Sequence, residues 1–179
     1  MKDVKNISEK QIVSIYISCC RIIICCLCTL YLLEVKANCV EYKEEYEKYI
    51  ESVCKEYFVC PELVEAIIFY ESSWTESVVS KNGQCVGLMQ INESVHKGRM
   101  KHLAVTNLKD GEQNILVGVD YLAELFEKYE DPMLVLDAYN GNLRKESWYL
   151  SHTSSYANKV LKLSAELEEK HGKIIRGHG

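Results

Sequence analysis

The stretch from Pro61 to Ser72, PELVEAIIFYES, decides the fold of this chain. Between positions 63 and 70 its side chains are apolar nearly all round a helix, and a helix of that kind is normally buried. Pro61 suits the first helical position, and Glu62 suits the positive N-terminal end of the helix dipole. The stretch therefore predicts a central buried helix.

Periodic apolar positions predict further helices on both sides of this one. The patterns cover residues 41–57, 107–129, 133–140 and about 153–170, where Gly172 would end the last helix. Asp131 and Pro132 suit the cap and the first position of the helix at 133–140. Residues 73–87, which include Asn82 and Gly83, predict a loop or short hairpin, and residues 88–96 predict the beginning of a short helix. With only 2 prolines and 9 glycines in 179 residues, the sequence predicts a mainly α-helical domain.

Residues 12–33 form an almost wholly apolar run that Arg21 interrupts. Roughly 20 apolar residues span a bilayer, while an arginine at mid-span costs about 2.5–3.5 kcal/mol. The run is therefore either a retained membrane anchor or a signal peptide whose cleavage site is residues 35–37. Both interpretations divide the chain into residues 1–37 and 38–179, and both export the second part.

The charge and the histidines exclude several classes of function. A net charge of −5 provides no basic field for nucleic acid. The five histidines show no metal-ligand spacing, and no glycine-rich nucleotide loop is present, so the sequence predicts neither a metal site nor a cofactor.

Four of the nine cysteines lie outside the N-terminal segment: Cys39, Cys54, Cys60 and Cys85. They include no C-x-x-C pair, which disfavours zinc binding and thioredoxin chemistry. An exported domain tolerates disulfides, and four cysteines permit three connectivities.

Glu71 is the first candidate for chemistry. It ends a helix that is otherwise apolar, where loss of solvation and the negative end of the helix dipole both favour the protonated carboxyl. A carboxylic acid that stays protonated near neutral pH can protonate the leaving oxygen of a glycoside. Glu76 and Glu93 resemble solvated loop residues, so the sequence offers no clear second acid.

Four segments carry a more specific pattern: Glu71–Trp74 (ESSW), Gly87–Asn92 (GLMQIN), Ala138–Gly141 (AYNG) and Tyr156–Val160 (YANKV). Their order and spacing resemble the lytic transglycosylase catalytic domain of the soluble type, whose fold is related to goose-type lysozyme. The resemblance covers roughly residues 60–160. It implies a lysozyme-like helical domain that acts on peptidoglycan, with Glu71 as its catalytic acid and base.

The resemblance also implies a set of substrate-binding residues: Ser72, Gly87, Met89, Gln90, Asn92, Tyr139, Asn140 and Tyr156. Gly87 would let the backbone approach a sugar, Gln90 would hydrogen-bond it, and the Tyr156 hydroxyl would lie near Glu71. Two alternatives stay open: Met89 is equally well explained as core filler, and the Ser72 hydroxyl as a bond to its own helix. A disulfide between Cys60 and Cys85 would tie the active-site loop to the catalytic helix.

The implied reaction cleaves the bond between N-acetylmuramic acid and N-acetylglucosamine and leaves a 1,6-anhydromuramyl end. Its partners would be peptidoglycan glycan strands and, if residues 12–33 are retained, the membrane. Two alternatives are a hydrolytic lysozyme on the same scaffold and an inactive wall-binding component. The N-terminal segment also permits association with a secretion or conjugation machine.

Overall fold

The computed structural model of the protein describes residues 44–141 and 154–176. This part of the chain contains six helices and one short hairpin. The helices are α1 (44–57), α2 (Pro61–Ser72), α3 (Glu93–His102), α4 (Gly111–Lys128), α5 (Pro132–Tyr139) and α6 (Ser155–Arg176), and the strands are β1 (Cys85–Val86) and β2 (Ile91–Asn92). The mainly helical fold is confirmed for these residues.

The apolar run at residues 12–33 and the cleavage site at residues 35–37 lie outside the described residues. Within the described ranges, no helix combines the length and apolarity needed to cross a bilayer.

Helix α2 lies at the centre of the core, as its sequence predicts. Val64, Ile67 and Ile68 have no solvent exposure, and α6 packs along the helix. The helix ends where Ser73 takes a left-handed conformation with φ 49° and donates its backbone N–H to the carbonyl of Phe69. This arrangement fixes Glu71 in the last turn, at the edge of the core.

Helices α4 and α5 follow the predicted pattern with small shifts at their ends. Helix α4 begins at Gly111 rather than near 107, because the Asp110 side chain caps it by accepting from the backbone N–H of Gln113. Helix α5 begins at Pro132 behind an Asp131 cap. The two helices pack against each other, and α5 also packs against α6.

Strand β1 lies in the segment for which the sequence predicted a loop or short hairpin. The predicted start of a short helix at Leu88 is wrong, because residues 88–92 form the turn and strand β2. Strand β1 pairs antiparallel with β2, with Val86 opposite Ile91. Gly87 and Gln90 both have positive φ, +82° and +48°, and such residues interrupt a right-handed helix. Helix α3 therefore begins only at Glu93.

The predicted end of the last helix at Gly172 is wrong, because α6 continues to Arg176. A glycine inside a helix costs about 1 kcal/mol relative to alanine, and tertiary contacts can offset that cost. One such contact joins His171 Nδ1 to Glu62 Oε1 at 2.9 Å, which holds this part of α6 against the first turn of α2.

The predicted Cys60–Cys85 disulfide is also wrong, since both residues are thiols. Cys60 precedes α2, and its Sγ lies 3.2 Å from Glu62 Oε2. Cys85 lies near Tyr139, at the Glu71 end of the same helix. Because 12 helical residues extend about 18 Å, the two cysteines are too far apart for a bond that needs Cα atoms within about 7 Å.

Candidate active site

Glu71 is half-buried in the last turn of α2, and its carboxyl group is engaged by Tyr156. The Tyr156 hydroxyl donates to Glu71 Oε1 at 2.7 Å, across 85 residues of sequence. Burial raises the pKa of Glu71 because the ionised form loses solvation, while the Tyr156 hydrogen bond acts in the opposite direction. The net direction is upward, as the position of Glu71 in the sequence led us to expect.

Tyr156 lies in the first turn of α6 and stays a hydrogen-bond donor. Its pKa is strongly raised, first by burial and then by the neighbouring charge of Glu71. The phenol is therefore neutral throughout the range in which proteins are folded. A neutral donor stabilises the ionised Glu71 carboxylate without supplying a full charge, so the protonated and ionised forms of the acid both stay accessible.

Tyr139 lies beside this pair, at the end of α5. Its hydroxyl donates to the backbone carbonyl of Met89 at 2.8 Å rather than to Glu71. Burial, followed by the charge of Glu71, raises its pKa well above the ordinary tyrosine value. Its ring centroid lies 5.5 Å from that of Tyr121 on α4, so the two rings form a tilted pair next to the carboxyl group.

The turn between β1 and β2 forms another part of the site and is held from within the protein. The Gln90 side-chain amide donates to the backbone carbonyls of Val78 at 3.1 Å and Gly87 at 3.0 Å. Gly87 is a glycine because a Cβ there would lie 2.2 Å from the amide nitrogen of Asn114. Its small size thus serves packing against the protein itself.

Four other predicted residues take positions that their local bonds explain. The Ser72 hydroxyl donates to the carbonyl of Ile68, which favours the interpretation as a bond within its own helix. Met89 is fully buried, with its sulfur packed against Gly118, which favours core packing. Asn92 caps α3, and Asn140 lies exposed at the end of α5.

Asn114 is the residue that the sequence reasoning missed. It is fully buried on α4, and its side-chain amide bonds three backbone groups around the β1–β2 turn. Its signal in the sequence was an amide on the apolar face of a predicted helix, next to Ile115. Buried polar groups are nearly always hydrogen-bonded, so such an amide points to a partner segment, although not to which one.

The acids that flank Glu71 in sequence are engaged elsewhere or exposed. Glu76 accepts a hydrogen bond from the Tyr46 hydroxyl, beside the first residue of α4. Glu93 lies exposed in the first turn of α3. Neither side chain is bonded to the Glu71–Tyr156 pair in the described part of the chain.

Another group of titratable side chains lies beside the first half of α2. One ring nitrogen of His171 and one carboxylate oxygen each of Glu47 and Glu65 lie within 4.8 Å of one another. These are atoms of the type that bind zinc or manganese, although acidic residues around a histidine also occur in metal-free proteins. Along α2, Glu65 of this group precedes Glu71 by six residues, which is about 9 Å along the helix axis.

Comparison with known proteins gives a family match and similar relatives. The family described as "Transglycosylase SLT domain" matches residues 48–161. The endo-type membrane-bound lytic murein transglycosylase A of Citrobacter koseri is 40% identical over 74 residues, which is 37% of this chain and 36% of that protein. The X polypeptide of Escherichia coli is 28% identical over 127 residues, covering 66% of this chain and 73% of that protein.

The family match contains Glu71, the β1–β2 turn, Tyr139 and Tyr156, so all the elements that build the site lie inside it. The chain spans only about a third of the length of the Citrobacter protein. The match nevertheless covers well over half of this chain, and we conclude that the chain belongs to the transglycosylase SLT domain family.

Proposed function

We propose that this domain is a peptidoglycan lytic transglycosylase in which Glu71 is first the general acid and then the general base. The observation that carries the proposal is the half-buried Glu71 carboxyl, bonded by the Tyr156 hydroxyl at 2.7 Å, within a domain of this family. The substrate is the glycan strand of peptidoglycan, at the β-1,4 bond between N-acetylmuramic acid and N-acetylglucosamine.

In the first step, protonated Glu71 gives its proton to the glycosidic oxygen as the bond to the anomeric carbon breaks. Burial raises the pKa of Glu71 and so favours the protonated carboxyl that this step needs. Tyr156 then stabilises the new carboxylate through the same hydrogen bond. The acetamido group of the muramic sugar stabilises the electron-poor anomeric carbon from within the substrate.

In the second step, ionised Glu71 removes the proton from the 6-hydroxyl of the same muramic sugar. That oxygen attacks the anomeric carbon and closes the 1,6-anhydro ring, which restores the protonated acid. Because nucleophile and electrophile belong to one sugar, the reaction benefits from proximity and needs no second carboxylate. A hydrolytic lysozyme would use water in place of the 6-hydroxyl.

The binding roles proposed for the other residues differ in kind. The Tyr139 ring offers an aromatic face next to Glu71, and Asn140 offers an exposed amide for an acetamido group. The Gln90 amide nitrogen donates to backbone carbonyls at the turn, so we propose that its side-chain oxygen accepts a hydrogen bond from the sugar. Gly87, Met89, Ser72 and Asn92 contribute by holding the backbone.

The test uses the full chain, wild type and Glu71→Gln, on purified peptidoglycan, with the released fragments identified by mass spectrometry. We expect anhydromuramyl ends from the wild type and none from the variant. Reducing ends would make the protein a hydrolase on this scaffold. If the wild type released nothing but still bound peptidoglycan, the domain would be a wall-binding component.

Export and membrane attachment complete the proposal and rest on residues 12–33. The Citrobacter relative is named as membrane-bound, which describes that protein. We propose that this chain is exported toward the cell wall, either anchored or released by signal cleavage. Association with a secretion or conjugation machine stays a prediction, which co-purification of the anchored chain would test.

A further inference from the structure

The Asn114 side chain makes the densest set of hydrogen bonds around the β1–β2 turn. Its Oδ1 accepts from the backbone N–H of Met89 at 2.7 Å. Its Nδ2 donates to the carbonyl of Val86 at 2.9 Å and to that of Leu108 at 2.8 Å. Both amide hydrogens and the carbonyl oxygen are therefore used, and a carboxylate of the same shape would lack the two donors.

Two glycines, which lack a Cβ, make room for the contact between Asn114 and the turn. Gly87 leaves room for the amide, because a Cβ at that position would lie 2.2 Å from Nδ2 and 2.4 Å from the Leu108 carbonyl oxygen. Four residues farther along α4, Gly118 leaves room for the Met89 sulfur. Since residues four apart share one helix face, this face of α4 fits the turn at two points.

The Met89 backbone connects Asn114 to the active site. Asn114 holds its N–H, and on the other side its carbonyl accepts the Tyr139 hydroxyl at 2.8 Å. Tyr139 in turn lies within the electrostatic reach of Glu71 and Tyr156. Two consecutive hydrogen bonds therefore link the interior of α4 to Tyr139, whose hydroxyl is close enough to Glu71 to be influenced by its charge.

We propose that Asn114 is a positioning residue for the reaction. It holds the Met89 backbone, which in turn holds the Tyr139 side chain near the Glu71 carboxyl group. This inference rests on the proposed function. The β1–β2 turn contains two residues with positive φ. Gln90 and Gly87 tie it to itself and to Val78, and the buried Asn114 amide adds the constraint that fixes it against α4. Displacements of about 1 Å in an active site can cost about 100-fold in rate.

The experiment compares Asn114→Asp with Gln113→Glu in the full chain, on soluble glycan strands. Both replace an amide with a carboxylate on neighbouring residues of α4, but the Gln113 side chain accepts from the backbone N–H groups of Thr106 and Asn107, away from the site. We expect Asn114→Asp to lower kcat by about 10- to 100-fold, with KM changed less, and Gln113→Glu to leave kcat within about twofold.

Two further readouts separate positioning from general loss of structure. If Tyr139 is held less firmly, Glu71 becomes more exposed to solvent and its pKa falls. The alkaline limb of the activity profile then shifts to lower pH in Asn114→Asp, whereas partial unfolding would only reduce the height of the profile. Hydrogen exchange across residues 85–92 should be faster in Asn114→Asp than in the wild type or Gln113→Glu, a readout that does not require activity.

Unchanged kcat, pH profile and exchange in a folded Asn114→Asp would overturn the proposal. If that variant does not fold, Tyr139→Phe tests the same path, because it removes only the hydroxyl that holds the Met89 carbonyl; an unchanged kcat there would also overturn it. An inactive wild type with the expected exchange difference would reject the proposed function and leave Asn114 as the residue that holds the turn.

Discussion

At the scale of single residues, Glu71 carries a conflict between stability and chemistry. Its burial raises its pKa, so folding at neutral pH places an ionised carboxylate in surroundings that favour the neutral form. Active sites commonly hold groups that would be more stable in another form. A side chain of the same shape without the charge should relieve this cost and abolish the reaction.

We predict that Glu71→Gln eliminates fragment release and raises the melting temperature at pH 7. The sign follows from linkage: a pKa raised by folding favours the folded state below the unfolded pKa, and this contribution is lost as pH rises through the folded pKa. The difference in melting temperature should therefore shrink toward pH 4. A variant less stable than the wild type at pH 7 would contradict the burial argument.

Tyr156→Phe tests the hydrogen bond to Glu71. The Tyr156 bond lowers the pKa of Glu71 against the larger effect of burial, so its loss should raise that pKa further. We expect the alkaline limb of the activity profile to move to higher pH and kcat to fall about tenfold, because the carboxylate formed in the first step loses a donor. Tyr129→Phe, at the end of α4, is a control that should leave the profile unchanged.

At the scale of elements, the hairpin and α4 fit one another through a glycine. Gly87 and Gly83 both have positive φ, +82° and +72°, but only Gly87 has neighbours within 4 Å of the position that a Cβ would occupy. Backbone strain and steric overlap can therefore be separated by substitutions at these two glycines, one in the β1–β2 turn and one just before β1.

We predict that Gly83→Ala destabilises the domain by about 1 kcal/mol, since it adds only left-handed strain. Gly87→Ala should cost about 1–3 kcal/mol more, because its methyl group must displace the Asn114 amide and the Leu108 carbonyl. Urea unfolding of both variants measures the difference. Equal losses would mean that the turn shifts freely and that the contact with Asn114 imposes no constraint.

At the scale of the whole molecule, α6 closes the domain by packing along α2. One end of α6 brings Tyr156 to Glu71, and its far end brings His171 to Glu62. Burial alone would raise the pKa of Glu62, but hydrogen bonds from His171 and the backbone outweigh it and lower that pKa. The contact at the far end therefore contributes to stability in a manner that depends on pH.

We predict that His171→Ala lowers the free energy of unfolding by about 1 kcal/mol at pH 7. Because folding lowers the pKa of Glu62, the part of this contribution that comes from Glu62 is present above its unfolded pKa and lost as pH falls through the folded value. Lys162→Ala, which breaks an exposed pair with Glu166 on the same helix, is the control and should change little.

The separation of Cys60 from Cys85 is also a property of the whole molecule. We predict that alkylation of the unreduced, denatured chain followed by peptide mapping finds no peptide that links the two cysteines. A linked peptide would mean that the two ends of α2 approach one another, which would contradict the described fold.

The sequence predicted some elements accurately and others poorly, for identifiable reasons. The burial of α2 and the Pro132 start of α5 depend on local composition and capping, and both were predicted. The start of α3 and the end of α6 were not. The start of α3 depends on the register in which β1 pairs with β2. The end of α6 depends on the contact between His171 and Glu62, which are 109 residues apart in sequence.

The sequence alone was enough to predict the helical class, the central buried helix and the family, and to single out Glu71 as the proposed acid, because periodicity and motif spacing are local properties of the chain. The tertiary structure was needed to show that the Tyr139 hydroxyl bonds the Met89 carbonyl, that Asn114 holds the turn, and that Cys60 and Cys85 stay apart. Those outcomes depend on which helix faces pack together, and distances between packed faces follow from the whole core rather than from any single segment.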